Sequence, residues 1–181
     1  MASDKIRGYL HGNSVVITNL EASKTLYSKG FYGKPLGVDK PGKSEWQAPL
    51  ILSKIEALYL LEKNILEIYS IEHGRLIQPE EMEALMSPKE RDLYFAYRDL
   101  RNRGLIVRSG LKFGAPFAVY RYGPGIDHAP YIVEVKEGNE KFDPIEIVRA
   151  GRLGHSVKKT YVISTVSKEN VFYIIFKWFK P

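Results

Sequence analysis

Three of the helix starts predicted along the chain have a short polar residue followed, three positions later, by glutamate. They are Ser53-Lys54-Ile55-Glu56, Ser87-Pro88-Lys89-Glu90 and Asp143-Pro144-Ile145-Glu146. This spacing is the capping box, in which two side chains satisfy the free backbone donors of a helix start. Each box therefore fixes where a helix opens, and together they partition the chain. The first predicts a helix carrying Ile55, Leu58, Tyr59, Glu62 and Ile65 at helical spacing, all but Glu62 apolar. The second has proline in the first helical position, where its missing N–H costs nothing. Its helix places Leu93, Tyr94, Tyr97 and Leu100 on one face and stops at Gly104. A short helix is predicted over Pro79 to Met86. The third box opens a helix between two strands.

The remaining segments read as strands and loops. "GYLHGNSVVIT" is a predicted hairpin turning at His11-Gly12-Asn13. "FYGKPLGVDKPGKSEWQAP", Phe31 to Pro49, is rich in Gly, Pro and Lys and reads as a long exposed loop. It is either a surface insertion or, through Lys40 and Lys43, a reach for phosphate. Beyond the second box, strands are predicted at "LIVRS", "PFAVYRY", "YIVEV", "TYVISTV" and "VFYIIFKWF". The pattern sets a domain boundary near Ser87, separating residues 1–87 from 88–181. The last strand is apolar on both faces, with Phe172, Ile174, Phe176 and Trp178 on one and Val171, Tyr173, Ile175 and Phe179 on the other. A strand of that kind is covered twice, which at a chain end points to a subunit interface.

Composition narrows the class of partner. With 44% apolar and 27% charged residues, the 181-residue chain lies far from the disordered regime. No apolar run approaches the roughly 20 residues that span a bilayer, and "MASDKIRGYL" has no secretory h-region. There is no cysteine, hence no disulfide and no thiolate chemistry. These features fit a soluble, cytoplasmic protein without a membrane partner. Abundant Lys, Arg and Glu lean towards a thermophile. A net charge of +6 favours an acidic partner, nucleic acid first.

Three stretches hold residues able to do chemistry. In "VYRYGPGIDHAPYIVEV", Tyr120 ends a strand and His128 precedes the next, so both belong at one sheet end; a strand-end tyrosine and a loop histidine are also common without function. In "GHSVKKTYVIS", Lys158 and Lys159 run straight into an apolar strand, so one of them is pinned near a core, as an ion-pair partner or a working cation. Arg152, His155 and Lys159 fall on one helical face by spacing, as would a solvated basic face near a helix C-terminus. "EVK", Glu134 to Lys136, imitates part of a nuclease metal site, but Asp127 is the nearest upstream carboxylate. In extended chain it lies about 23 Å from Glu134, so no shared metal is expected.

"YRDLRNRGLIVRSGLKFGAPFAVYRYG", the histidine of "DHAPYIVEV" and "GHSVKKTYVIS" together resemble the catalytic subunit of archaeal tRNA-intron splicing endonucleases. The likeness covers roughly the last hundred residues, and more loosely "NLEASKTLYSKGFYGKP" and "LSKIEALYLLEKN". It implies an α/β fold class: an α+β N-terminal domain followed by a restriction-endonuclease-like α/β catalytic domain with a mixed central sheet. It implies cleavage of precursor tRNA at bulge-helix-bulge intron boundaries without a metal or cofactor. Tyr120 would be the base, His128 the acid and Lys159 the cation, with a lysine within about 6 Å of the tyrosine favouring its phenolate. Arg152 stands where the family stacks a guanidinium on a bulge base. The family's second stacking arginine has no counterpart; Lys177 and Lys180 are the nearest substitutes. The family's acidic docking loop is here "SKEN", Ser167 to Asn170, with one acid and one base. That departure resembles members pairing with a structural subunit as an α2β2 heterotetramer, the alternative being a homotetramer. Rival readings are a non-catalytic RNA-binding scaffold subunit and a Mg²⁺-dependent nuclease.

Overall fold

The computed structural model describes residues 5–39, 41 and 46–175, the side chains of Arg149 and His155 excepted. Lys40, Lys43, Lys177, Lys180 and the end of the terminal strand lie outside the described residues. The chain divides into two compact units, Met1–Glu90 and Arg91–Pro181.

The first unit is built on the predicted hairpin. β1 (Ile6–His11) and β2 (Ser14–Ile17) are antiparallel, and Gly12 turns between them at φ 54. Then comes α1 (Leu20–Gly30), a helix where the sequence pattern predicts strand and loop. Asn19 caps it by accepting a hydrogen bond from the Ala22 amide, 2.9 Å. β3 (Lys34–Pro35) and β4 (Leu50–Ser53) follow, then α2 (Lys54–Glu62), β5 (Leu66–Ser70), β6 (Arg75–Ile77) and α3 (Pro79–Ala84). The sheet order is β3-β4-β2-β1-β5-β6. Val15, Ile17, Leu50, Leu52, Leu58, Leu60, Leu66 and Ile68 form its buried core.

Two expectations in this unit are corrected. α2 ends at Glu62, so Ile65 falls in the following turn and is exposed, while Ala57 and Leu60 are buried instead. The Phe31–Pro49 segment is not simply exposed. Phe31 and Trp46 are buried, Trp46 packs edge-on against Tyr27 at 5.5 Å, and β3 pairs with β4. The first capping box is present as expected, and its Glu56 also accepts from the Gly33 amide. Lys54 of the same box is buried; it donates to the Leu85 carbonyl at 3.0 Å and pairs with Glu90 at 2.8 Å.

The second unit follows the sequence expectation closely. α4 (Pro88–Asn102) buries Tyr94, Tyr97 and Leu100. It closes with a Schellman turn at Gly104, φ 81, where Leu105 N donates to Leu100 O and Gly104 N to Arg101 O. β7 (Ile106–Ser109), a single 3₁₀ turn (Leu111–Phe113), β8 (Phe117–Tyr120), β9 (Tyr131–Glu137), α5 (Pro144–Ser156), β10 (Thr160–Ser167) and β11 (Asn170–Ile175) complete it. The sheet order is β11-β10-β9-β8-β7. β9 and β10 are parallel and the other pairs antiparallel, so α5 is the crossover of a βαβ unit in a mixed sheet. Ile132, Tyr161, Ile163, Ala115 and Ala150 join α5 to the sheet. Fold class is therefore α/β, with two mixed sheets and helices against them.

Within this single chain the described part of the terminal strand, β11, is a sheet edge and is not covered on both faces. Phe172 and Ile175 are more than half exposed. Tyr173 is the exception: its hydroxyl donates to Asp99 of α4 at 2.6 Å.

Candidate active site at one end of the C-terminal sheet

Strand register gathers the sequence-predicted residues. Val119 of β8 is opposite Tyr131 of β9, and Tyr131 is opposite Thr160 of β10. Tyr120 is one residue beyond Val119, and Lys159 is one residue before Thr160, so both stand at the same edge. Neighbouring strands are about 4.7–4.9 Å apart, which puts their backbones roughly 10 Å from each other across β9. His128 lies on the segment entering β9, three residues before Tyr131, and is exposed. The Thr160 amide donates to Pro130 O at 2.8 Å, joining the two strand entries.

The lysine question raised by "GHSVKKTYVIS" has a backbone answer. α5 closes with the same turn as α4, Lys159 N donating to Gly154 O at 2.8 Å. Lys158 occupies the position Gly104 holds in the other turn, at φ 52, a left-handed conformation that a non-glycine residue takes at some cost. The chain reverses there, so Lys159 is off the helix and does not share a helical face with Arg152, contrary to the spacing argument. Lys158 stays exposed. Lys159 turns inward, and its Nζ donates to Ala129 O at 2.6 Å, next to His128. Gly154 makes the close approach possible: a Cβ there would sit 2.8 Å from Lys159 O.

The loop between Tyr120 and His128 is closed by Asp127. Its carboxylate accepts from the Gly123 amide at 2.7 Å and from the Arg121 amide at 3.1 Å. Its own amide donates back to Gly123 O at 3.1 Å. Gly123 and Gly125 take positive φ in this loop, so the Gly-Pro-Gly stretch serves a tight reversal.

Burial pushes the Tyr120 phenol above its ordinary value; Arg108 opposes this and Asp127 adds to it. Lys159 is depressed, first by burial and then by the Lys112 ammonium. Both lysines lie over one ring, Lys159 Nζ 5.2 Å and Lys112 Nζ 4.8 Å from the Phe113 centroid. Lys112 was not singled out in the sequence, though Gly110 and Gly114 around "LKF" mark a turn that exposes it.

Arg152 is exposed on α5. Among the described residues no group of three or more His, Asp or Glu side chains is arranged to hold a metal ion. Lys136 of "EVK" is committed to Glu140 at 2.6 Å and Glu146 at 2.9 Å.

Two family models cover most of the chain. The tRNA intron endonuclease N-terminal domain matches residues 6–83, and the tRNA intron endonuclease catalytic C-terminal domain matches residues 91–173. The chain belongs to the tRNA intron endonuclease family. It is an enzyme of that family, with the catalytic domain as its second unit. Relatives named tRNA-splicing endonuclease agree. That of Hyperthermus butylicus is 48% identical, over 97% of this chain and 99% of its own length. That of Saccharolobus solfataricus is 42% identical over the same shares. That of Pyrobaculum aerophilum is 45% identical over 90% of this chain and 91% of its own. No helix among the described residues is long and apolar enough to cross a membrane.

Proposed function

We propose that this tRNA-splicing endonuclease cuts precursor tRNA at the bulge-helix-bulge junctions of an intron, in the cytoplasm and without a metal ion. The observation that carries the reading is the register bringing Tyr120, the His128 segment and Lys159 to one sheet end. The ribose 2′-OH next to the scissile bond attacks its own phosphorus. Tyr120, as phenolate, takes the 2′-OH proton while the new O2′–P bond forms. The P–O5′ bond breaks, and the His128 imidazolium gives its proton to the leaving oxygen. The products are a 2′,3′-cyclic phosphate and a 5′-OH. Solvent then restores both groups. Lys159, fixed by its bond to Ala129 O, faces the extra negative charge of the phosphorane. A cation held in place stabilises such charge without reorganising.

Arg152 stacks on an unpaired bulge nucleotide, a role suited to an exposed guanidinium. Lys40 and Lys43 contact the RNA backbone. The active assembly is an α2β2 heterotetramer with a structural subunit rather than a homotetramer, and β11 is the strand covered in it. Supporting this, Ser167–Asn170 is a two-residue turn with Lys168 at φ 48 and Glu169 at φ 66. Its single acid is already 3.3 Å from Arg98, so it offers little to a basic pocket elsewhere.

The test is single-turnover cleavage of a bulge-helix-bulge RNA in excess EDTA, by the chain alone and with its partner subunit. Cleavage with cyclic-phosphate ends is expected in the presence of the partner. His128→Ala should slow it by roughly 10²–10⁴ while RNA affinity is kept. An affinity loss equal to the rate loss makes His128 a binding residue, and dependence on added Mg²⁺ removes the mechanism.

A further inference from the structure

The 3₁₀ turn Leu111–Phe113 brings a second cation to the edge where Lys159 sits. Lys112 Nζ is 4.8 Å and Lys159 Nζ 5.2 Å from the centroid of the same ring, Phe113. The two ammoniums are thus separated by no more than about one Debye length at 0.1 M salt, ~10 Å. Among the described residues no carboxylate is in ion-pairing distance of either. Among those residues Lys159 Nζ donates to the Ala129 carbonyl and Lys112 lies over the ring face. A cation–π contact is weak at an exposed site, about 0.5–1 kcal/mol, and leaves the charge uncompensated.

Uncompensated like charges this close are unfavourable in the free protein; Lys159 is depressed first by burial and then by the Lys112 ammonium. Lys136 of the same unit, by contrast, is paired with two glutamates. What fits two fixed ammoniums at one edge is an anion with repeated charge. Leu111 beside Lys112 is 80% exposed, so the turn projects and is open to a large ligand.

We propose that Lys112 is a phosphate-binding residue of this site, taking an RNA phosphate adjacent to the scissile one while Lys159 faces the scissile phosphate across the Phe113 ring. The proposal rests on the active-site reading above and extends it to a residue outside the Tyr120, His128 and Lys159 set. Binding of the polyanion removes the repulsion between the two lysines, so part of the affinity for RNA comes from relief of a charge conflict present in the free protein.

The experiment uses the active assembly and a bulge-helix-bulge RNA carrying 2′-deoxyribose at the cleavage positions, so that binding is measured without turnover. Affinity is followed against salt for the wild type, Lys112→Ala and Lys112→Arg, and cleavage of the all-ribose RNA is measured for Lys159→Ala. Lys112→Ala should lower the slope of log K against log salt by about 0.7–0.9, one phosphate contact. Lys112→Arg should restore it, and thermal midpoints should not move, since the side chain is exposed. An unchanged slope in Lys112→Ala, with Lys159→Ala inactive, overturns this proposal alone. A Lys159→Ala enzyme as fast as the wild type overturns the active-site reading and this proposal with it.

Discussion

Gly154→Ala tests whether the position of Lys159 matters at sub-ångström scale. A Cβ at Gly154 would lie 2.8 Å from Lys159 O, whereas ordinary van der Waals contact begins at 3.4 Å. The carbonyl must retreat by about 0.6 Å, the difference between those distances. It has little freedom to do so, because Lys159 N is bonded to Gly154 O and Thr160 N to Pro130 O, each at 2.8 Å. Alanine in a helix is worth about 1 kcal/mol over glycine, while overpacking costs roughly 1–3 kcal/mol. The net change is a loss of about 0–2 kcal/mol, or at most about 8 °C in Tm for a chain of this size. The catalytic effect should be larger in proportion. A misplacement of 1 Å can cost about 10²-fold, so this shift should slow single-turnover cleavage by about tenfold with RNA affinity little changed. Gly151→Ala is the control on the same helix, since a Cβ there meets nothing within 4 Å. It should gain stability and cleave normally. A Gly154→Ala enzyme at wild-type rate, or an equal rate loss in Gly151→Ala, would refute the reasoning.

Two further perturbations probe the electrostatics. Asp127→Asn exchanges an acceptor of two backbone amides for a group with only one acceptor oxygen, and should slow cleavage by about tenfold. It also removes an anion that raises Tyr120, so the ascending alkaline limb of the pH–rate profile should move to lower pH; a limb that stays put argues against Tyr120 as the base. Glu90→Gln should lower Tm at neutral pH, because the Lys54 ammonium and the Ser87 amide hold the Glu90 carboxyl below its ordinary range. A depressed carboxyl stabilises above its unfolded pKa, near 4.5, and that stabilisation is lost as pH falls through the folded value. The Tm gap between wild type and Glu90→Gln should therefore close in acid, and a gap constant with pH would contradict it.

What the sequence made legible was local chemistry. Ser53, Ser87 and Asp143 announce helices because a cap is settled within four residues. Gly104 likewise announces a stop. α1 was missed because Asn19 caps alone, without the glutamate that marks the other three. Lys158 could not be read, since a left-handed lysine imitates glycine only when the rest of the turn demands it. The buried anchors Phe31 and Trp46 sit in a stretch whose composition reads as loop, and only packing against Tyr27 reveals them. For the site, the order Tyr120, His128, Lys159 was visible, but the environment was not. Arg108, Asp127 and Lys112 reach Tyr120 or Lys159 across strands and turns, and no spacing rule encodes those approaches.

The parallel pairing of β9 with β10 has a temporal consequence. Parallel neighbours cannot be joined by a hairpin, so Lys159 arrives beside Ala129, thirty positions earlier in the chain, only after the residues between them have folded over the sheet as strand, loop and helix. Loop closure of that length precedes the contacts that reward it, which makes such pairing a late event. An emerging chain that has completed its first unit, and even β7 to β9, still lacks the cation at its sheet end. On the role proposed for Lys159, cutting power would be withheld from every incomplete form of the molecule until β10 is in place.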